Sequence, residues 1–193
     1  GVSYNGISGV MKESNRNNIS ENIDLTYRLN KFQFSNKFYM DNTKSTNPIV
    51  GYSNYANANP YYTKYNEDGE VEKWLEYNKY VEAANPLYNA AQNSYSNSAA
   101  FTVSNKFIAE YTPLSSMKLR ARFGITHANN NSEAFSSPLD SRFSNVVYTK
   151  RGSYNYGETQ SNKYEGEFTL TYGKLFGNNH LVNFATGGYM SQQ

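Results

Sequence analysis

Apolar residues occupy every second position in several stretches of this chain, and that period belongs to a strand with two unlike faces. From Ile19 the odd positions read Ile19, Glu21, Ile23, Leu25, Tyr27 and Leu29. The even positions between them read Ser20, Asn22, Asp24, Thr26 and Arg28. After Asn30-Lys31 the apolar set becomes Phe32, Phe34, Phe38 and Met40, interleaved with Gln33, Ser35, Lys37 and Tyr39. Two strands joined by two residues make a tight hairpin, with Leu29 opposite Phe32. That register sets Tyr27 against Phe34 and Ile23 against Phe38 on one face. On the other it sets Arg28 against Gln33, Thr26 against Ser35 and Asp24 against Lys37. A slip of one residue would turn one strand inside out. Asn30 tolerates the positive φ that such a turn asks for, whereas Lys31 does so poorly.

The pattern recurs twice. Phe101, Val103, Phe107, Ala109 and Tyr111 alternate with Thr102, Ser104, Lys106 and Glu110, and a turn follows at Thr112 to Ser116. Leu119, Ala121, Phe123 and Ile125 then alternate with Lys118, Arg120, Arg122 and Thr126. A third pair runs from Tyr164 to Tyr172 and from about His180 to Met190, joined across Gly173 to Asn179, with Gly187-Gly188 blurring the second member. Val2 to Tyr4 offers a further strand, giving about six or seven in all.

The connections between these hairpins, Asn42 to Ser98 and Ala128 to Ser161, are long and rich in Asn, Ser, Tyr and Gly. Short turns alternating with long loops are the asymmetry of outer-membrane β-barrels, whose short turns face the periplasm. The expectation is an all-β antiparallel transmembrane β-barrel segment with long extracellular loops. Ile23, Leu25, Phe34, Phe38, Val103, Phe107, Phe123, Ile125, Phe168 and Leu170 should then face lipid. Tyr27, Phe32, Tyr111, Tyr172 and Phe176 lie near turns, where an aromatic girdle sits. Asn36 and Asn105 interrupt the apolar face, and a hydrogen bond between them would relieve the cost of an unpaired amide. Barrels start at about eight strands and cannot leave edges open in lipid, so this stretch is expected to be a piece of a larger barrel. Two alternatives use the same alternation: a soluble carbohydrate-binding β-sandwich, whose apolar face meets a second sheet, and a small closed barrel with a structural role.

Composition narrows the classes. Charged residues are 18% of the chain, the net charge is +2, and aromatics reach 16%. Mean hydropathy is −0.78, yet disordered chains of low hydropathy are poor in aromatics. No apolar run is long enough for a transmembrane helix, which leaves strand crossing open. Nothing clusters Lys and Arg as a nucleic-acid surface would, so no nucleic-acid partner is expected.

Gly9-Val10-Met11-Lys12 followed by Ser14-Asn15-Arg16, and Phe32-Gln33-Phe34-Ser35-Asn36-Lys37, resemble strand openings in SusC/RagA-like TonB-dependent transporters. So do, in order, Tyr55-Ala56-Asn57-Ala58-Asn59-Pro60-Tyr61-Tyr62, Tyr65-Asn66-Glu67-Asp68-Gly69, Asn85-Pro86-Leu87-Tyr88-Asn89, Lys118-Leu119-Arg120-Ala121-Arg122-Phe123-Gly124 and Phe135-Ser136-Ser137-Pro138. The resemblance covers nearly the whole chain and the middle of the family's barrel. It implies that residues 1–193 belong to one barrel domain of about 22 strands around a plug that this stretch does not include. It also implies an importer of oligosaccharides or peptides in the cell outer membrane of a Gram-negative, Bacteroidetes-like bacterium. A SusD-like lipoprotein would act as its lid, and TonB would act through parts of the protein outside this chain.

Candidate chemistry is sparse. Asn66-Glu67-Asp68-Gly69-Glu70 lacks the ligand register of a calcium loop and reads as a turn. His127 and His180 are the only histidines and no Cys joins them, too few ligands for zinc. The loop acids Glu67, Asp68, Glu70 and Glu72 read as solvated rather than catalytic, so no enzyme and no cofactor is expected. The long loop also carries Tyr52, Tyr55, Tyr65, Tyr80 and Tyr88, most of them expected to compact the loop or press on a lid. Aromatic faces stack on sugars and give contact area at low entropy cost, and Tyr61, Tyr62, Trp74 and Tyr77 are the candidate substrate contacts.

Overall fold

The computed structural model describes residues 1–177 and 180–193. Its main body is one antiparallel sheet of seven strands in which every neighbour in space is the next long strand in the chain. The strands are β1 (Val2–Ser8), β2 (Asn15–Leu29) and β3 (Phe32–Thr46), then β6 (Tyr95–Leu114), β7 (Met117–Ser136), β8 (Ser153–Phe176) and β9 (His180–Gln192). Between β3 and β6 lie α1 (Tyr52–Ala56), the hairpin β4 (Trp74–Tyr77) and β5 (Glu82–Ala84), and α2 (Pro86–Ala91).

The first hairpin has the predicted register along its whole length, from Leu29 opposite Phe32 to Asn15 opposite Thr46. Its turn is solved by Asn30, which takes φ of +50° while Lys31 does not take a positive φ. Lys31 is tied instead to the neighbouring turn: its carbonyl accepts the Thr112 N–H at 2.8 Å and its Nζ donates to the Pro113 carbonyl at 2.6 Å. The second hairpin has an irregular step between Tyr111 and Leu114 before closing on Leu114 opposite Met117. β9 pairs with β8 throughout. At Gly187 a Cβ would stand 2.5 Å from the Phe168 carbonyl oxygen, so this glycine lets the two backbones approach. β8 runs on to Phe176, past Gly173 where the connection was expected to begin, and Asn178 and Asn179 lie outside the described residues.

The strands are also longer than their apolar segments. β6 and β7 have 20 residues each and β8 has 24, about twice the 9–11 needed to cross a bilayer. The expected loops of 42–98 and 128–161 therefore shrink to 47–94 and 137–152. Past Ala128 both faces turn polar, so the ladder continues without an apolar period to announce it. The remaining connection at that end, residues 9–14, is short and breaks the alternation of short turns with long loops.

Opposed residues in an antiparallel pair share a face, so the ladders place all ten expected lipid-facing residues together. Asn36 and Asn105 lie diagonally within that face and exchange two hydrogen bonds, Asn36 Nδ2 to Asn105 Oδ1 at 2.9 Å and the reverse at 3.1 Å. Reciprocal bonding satisfies one donor and one acceptor of each amide. Replacing Asn36 alone with Leu should cost about 1–3 kcal/mol by orphaning its partner. The Asn36→Leu, Asn105→Leu double variant should recover most of that loss. Equilibrium unfolding in phospholipid bilayers reads both values, and simple addition of the two single costs would contradict the pairing.

Candidate functional site

The apolar face forms a belt. Phe101 to Tyr111 spans ten residue steps, about 34 Å at 3.4 Å per residue. A strand tilt of about 40° reduces this to about 25 Å, the height of a barrel's outward apolar band. Leu25, Phe123 and Phe168 on this belt are 63%, 52% and 50% exposed. On the opposite face, the side chains of Glu110 and Glu165 are only 17% exposed. That inverts the usual order, in which acids are exposed and large apolar side chains buried. Near the short turns Phe32 stacks on Tyr111 with centroids 4.4 Å apart, and Tyr27 and Phe176 stand exposed on the same rim.

The polar face carries a paired band of charge. Asp24 meets Lys37 at 3.7 Å, Glu110 takes Lys118 at 2.7 Å and Arg120 at 3.6 Å, and Lys163 meets Glu165 at 2.7 Å. Arg122 pairs with Glu167 across β7 and β8. Neutralised in pairs, these charges can share a half-enclosed surface without strong mutual repulsion. In water each exposed pair contributes only about 0–1 kcal/mol.

At the long-loop end the two connections form one cap. Asn89 donates to Ser141 Oγ at 2.7 Å and accepts the Ser141 N–H at 3.0 Å. Ser94 Oγ accepts the Ser137 N–H at 2.9 Å. Asn85 caps α2 through the Leu87 N–H and donates to the Lys64 carbonyl, both at 3.0 Å. Asn85, Ser94, Ser137, Asp140 and Ser141 are all buried, beside Val50, so the cap's interior is mostly polar. The acidic segment is a turn: Gly69 has φ of +82°, and Asn66 Oδ1 accepts the Glu70 N–H at 2.7 Å. His127 Nδ1 is bonded to Asn162 Oδ1 at 2.7 Å.

The four candidate aromatics are not brought together. Tyr61 is 92% exposed and Tyr77 also projects into solvent, with Trp74 half-buried 5.1 Å from the Tyr77 ring. The Lys73 ammonium lies over the Trp74 and Tyr88 rings. Tyr52, Tyr65 and Tyr80 are exposed as well, so of the two expected roles these three do not compact the loop and are left facing outward. Tyr62 alone of the four lines a cavity of about 490 Å³ between α1, α2 and the β4–β5 hairpin. Its hydroxyl donates to Glu76, whose carboxylate also accepts from Asn78 Nδ2 at 2.7 Å. The bond to Glu76, with some burial, holds the Tyr62 phenol above its ordinary pKa. Sequence reasoning missed Glu76 and the Asn89–Ser141 clasp, for neither has a local signature.

Two outcomes test this surface. Phe123→Arg should cost about 2–4 kcal/mol of bilayer stability, whereas Thr126→Arg on the polar face should be nearly neutral; equal costs would remove the distinction between faces. Asn89→Ala should loosen the cap and expose residues 47–94 to limited proteolysis, leaving the strands resistant. Unchanged cleavage would show that the clasp does not hold it.

No family model matches the chain, and no curated protein matches it by sequence. Among solved structures, that of the RagAB peptide importer in its "closed-closed" state is similar over 91% of this chain, with a TM-score of 0.68 and 15% sequence identity. This chain spans 20% of the length of the chain it matches there. At that identity the likeness is one of fold.

Proposed function

We propose that residues 1–193 form part of the wall and outer cap of a single TonB-dependent β-barrel domain that imports oligosaccharides or peptides across a bacterial outer membrane. The inversion of faces carries this reading: Phe and Leu stand exposed on one face while Glu110, Glu165 and Glu167 are paired and partly sheltered on the other. Hydrocarbon is the surrounding in which that arrangement is stable. The sandwich alternative needs a second sheet over the apolar face. Among the described residues the only other sheet is the two-stranded β4–β5 hairpin in the cap. The strand edges β1 and β9 would pair with further strands, because open edges are not tolerated in lipid. A plug and the TonB-interacting segment would be supplied by parts of the protein outside this chain, and a SusD-like lipoprotein would cover the cap. The resemblance of the loop segments to the SusC/RagA-like family and the fold likeness to a peptide importer support the same reading.

Deleting the gene should abolish uptake of a labelled oligosaccharide or peptide fraction and should not affect passive permeation of small solutes. The full-length gene should restore uptake, and a version lacking its TonB-interacting segment should not. Recovery of the protein in the aqueous fraction without detergent, with uptake unchanged, would contradict the proposal.

A further inference from the structure

The cavity beneath the cap has a composition that discriminates between substrate classes. Val50, Leu75, Val81 and Ala83 give it aliphatic walls, and Glu76 is the one acidic residue in its lining. No Lys, Arg or His lines it. Glu76 is half-buried and accepts from Tyr62 and Asn78. A carboxylate has about four acceptor sites, so two remain for a ligand. Asn57, an exposed residue that also lines the cavity, has a side-chain amide able to meet a carbonyl. The volume of about 490 Å³ lies within the range of small-ligand sites.

A saccharide site wants several aromatic faces for stacking, and of the four candidates only Tyr62 lines this cavity, its hydroxyl bound to Glu76, while Tyr61, Trp74 and Tyr77 lie outside it. An aliphatic wall beside one carboxylate is complementary to an ammonium carried next to an apolar side chain. We infer that the cavity binds the free amino-terminal residue of a peptide with an aliphatic side chain, the ammonium on Glu76 and the side chain against Val50, Leu75 and Val81. This rests on the importer reading and names peptides as the substrate class.

Isothermal titration calorimetry on the full-length protein in detergent micelles tests it with leucyl-glycyl-glycine, its N-acetyl derivative and maltotriose. The free tripeptide should bind and the acetylated one should bind at least about tenfold more weakly, because a charge-assisted hydrogen bond is lost. Glu76→Gln keeps an acceptor for Tyr62 and should erase the difference between the two peptides. Ala83→Leu fills the cavity and should weaken the free tripeptide by about tenfold or more. Equal affinity for both peptides, an unaffected Glu76→Gln or Ala83→Leu variant, or binding of maltotriose alone would overturn the assignment. Binding is read without uptake, so intact uptake with no tripeptide binding would sink this site while leaving the importer reading in place.

Discussion

In hydrocarbon an unpaired peptide N–H or C=O costs several kcal/mol, because no water is present to satisfy it. Every other feature of this chain depends on meeting that requirement with strands. The continuous ladders from β1 to β9 pair the backbone across the whole width of the sheet. Once the backbone is paired, alternation divides the side chains between two environments without further cost. Phe107 and Phe123, opposed on one face, can meet lipid. Ile108 and Arg122, their neighbours in the chain, turn to the other face. A polar residue on the lipid side must then carry its partner with it, and the Asn36–Asn105 exchange is the local solution.

Beyond the apolar belt the side chains turn polar on both faces, and the way the chain holds together changes with them. The extended parts of β6, β7 and β8 are polar on both faces, and their loops are fastened by side-chain to backbone hydrogen bonds. Asn89, Ser94, Ser137 and Ser141 clasp the two loops, and Asn85 is fully buried with both its amide oxygen and nitrogen engaged. A cap of this kind holds a half-open cavity with little apolar core beyond Val50 and Pro86. Its walls come from α1, α2 and the β4–β5 hairpin, which places Glu76 and Tyr62 together although 14 residues separate them.

Much of the sheet was legible in the sequence because period two survives wherever one face is apolar and the other polar. Ile19 to Met40 specifies both strands, their turn and their register, since Asn30 sits at the position that needs positive φ. The ends of the long strands were not legible: Asn129-Asn130-Asn131-Ser132 has no apolar member to mark a face, yet it pairs residue by residue with β6 and β8. The cap was legible only as an aromatic-rich loop. Aromatic content located a surface but not a site, for Tyr61 and Tyr77 face solvent while Tyr62 turns inward. What distinguishes Tyr62 is its bond to Glu76, a tertiary contact that no spacing rule encodes.

The central claim is that the Phe and Leu face of this wall meets lipid and the charged face meets water. It is tested most directly by single spin labels at positions 118 to 126 along β7 in the full-length protein reconstituted into bilayers. Collision with oxygen, which concentrates in hydrocarbon, should peak at 119, 121, 123 and 125. Collision with a water-soluble nickel chelate should peak at 118, 120, 122, 124 and 126. Accessibility to the nickel chelate that is equal at odd and even positions, or highest at the odd ones, would contradict the account.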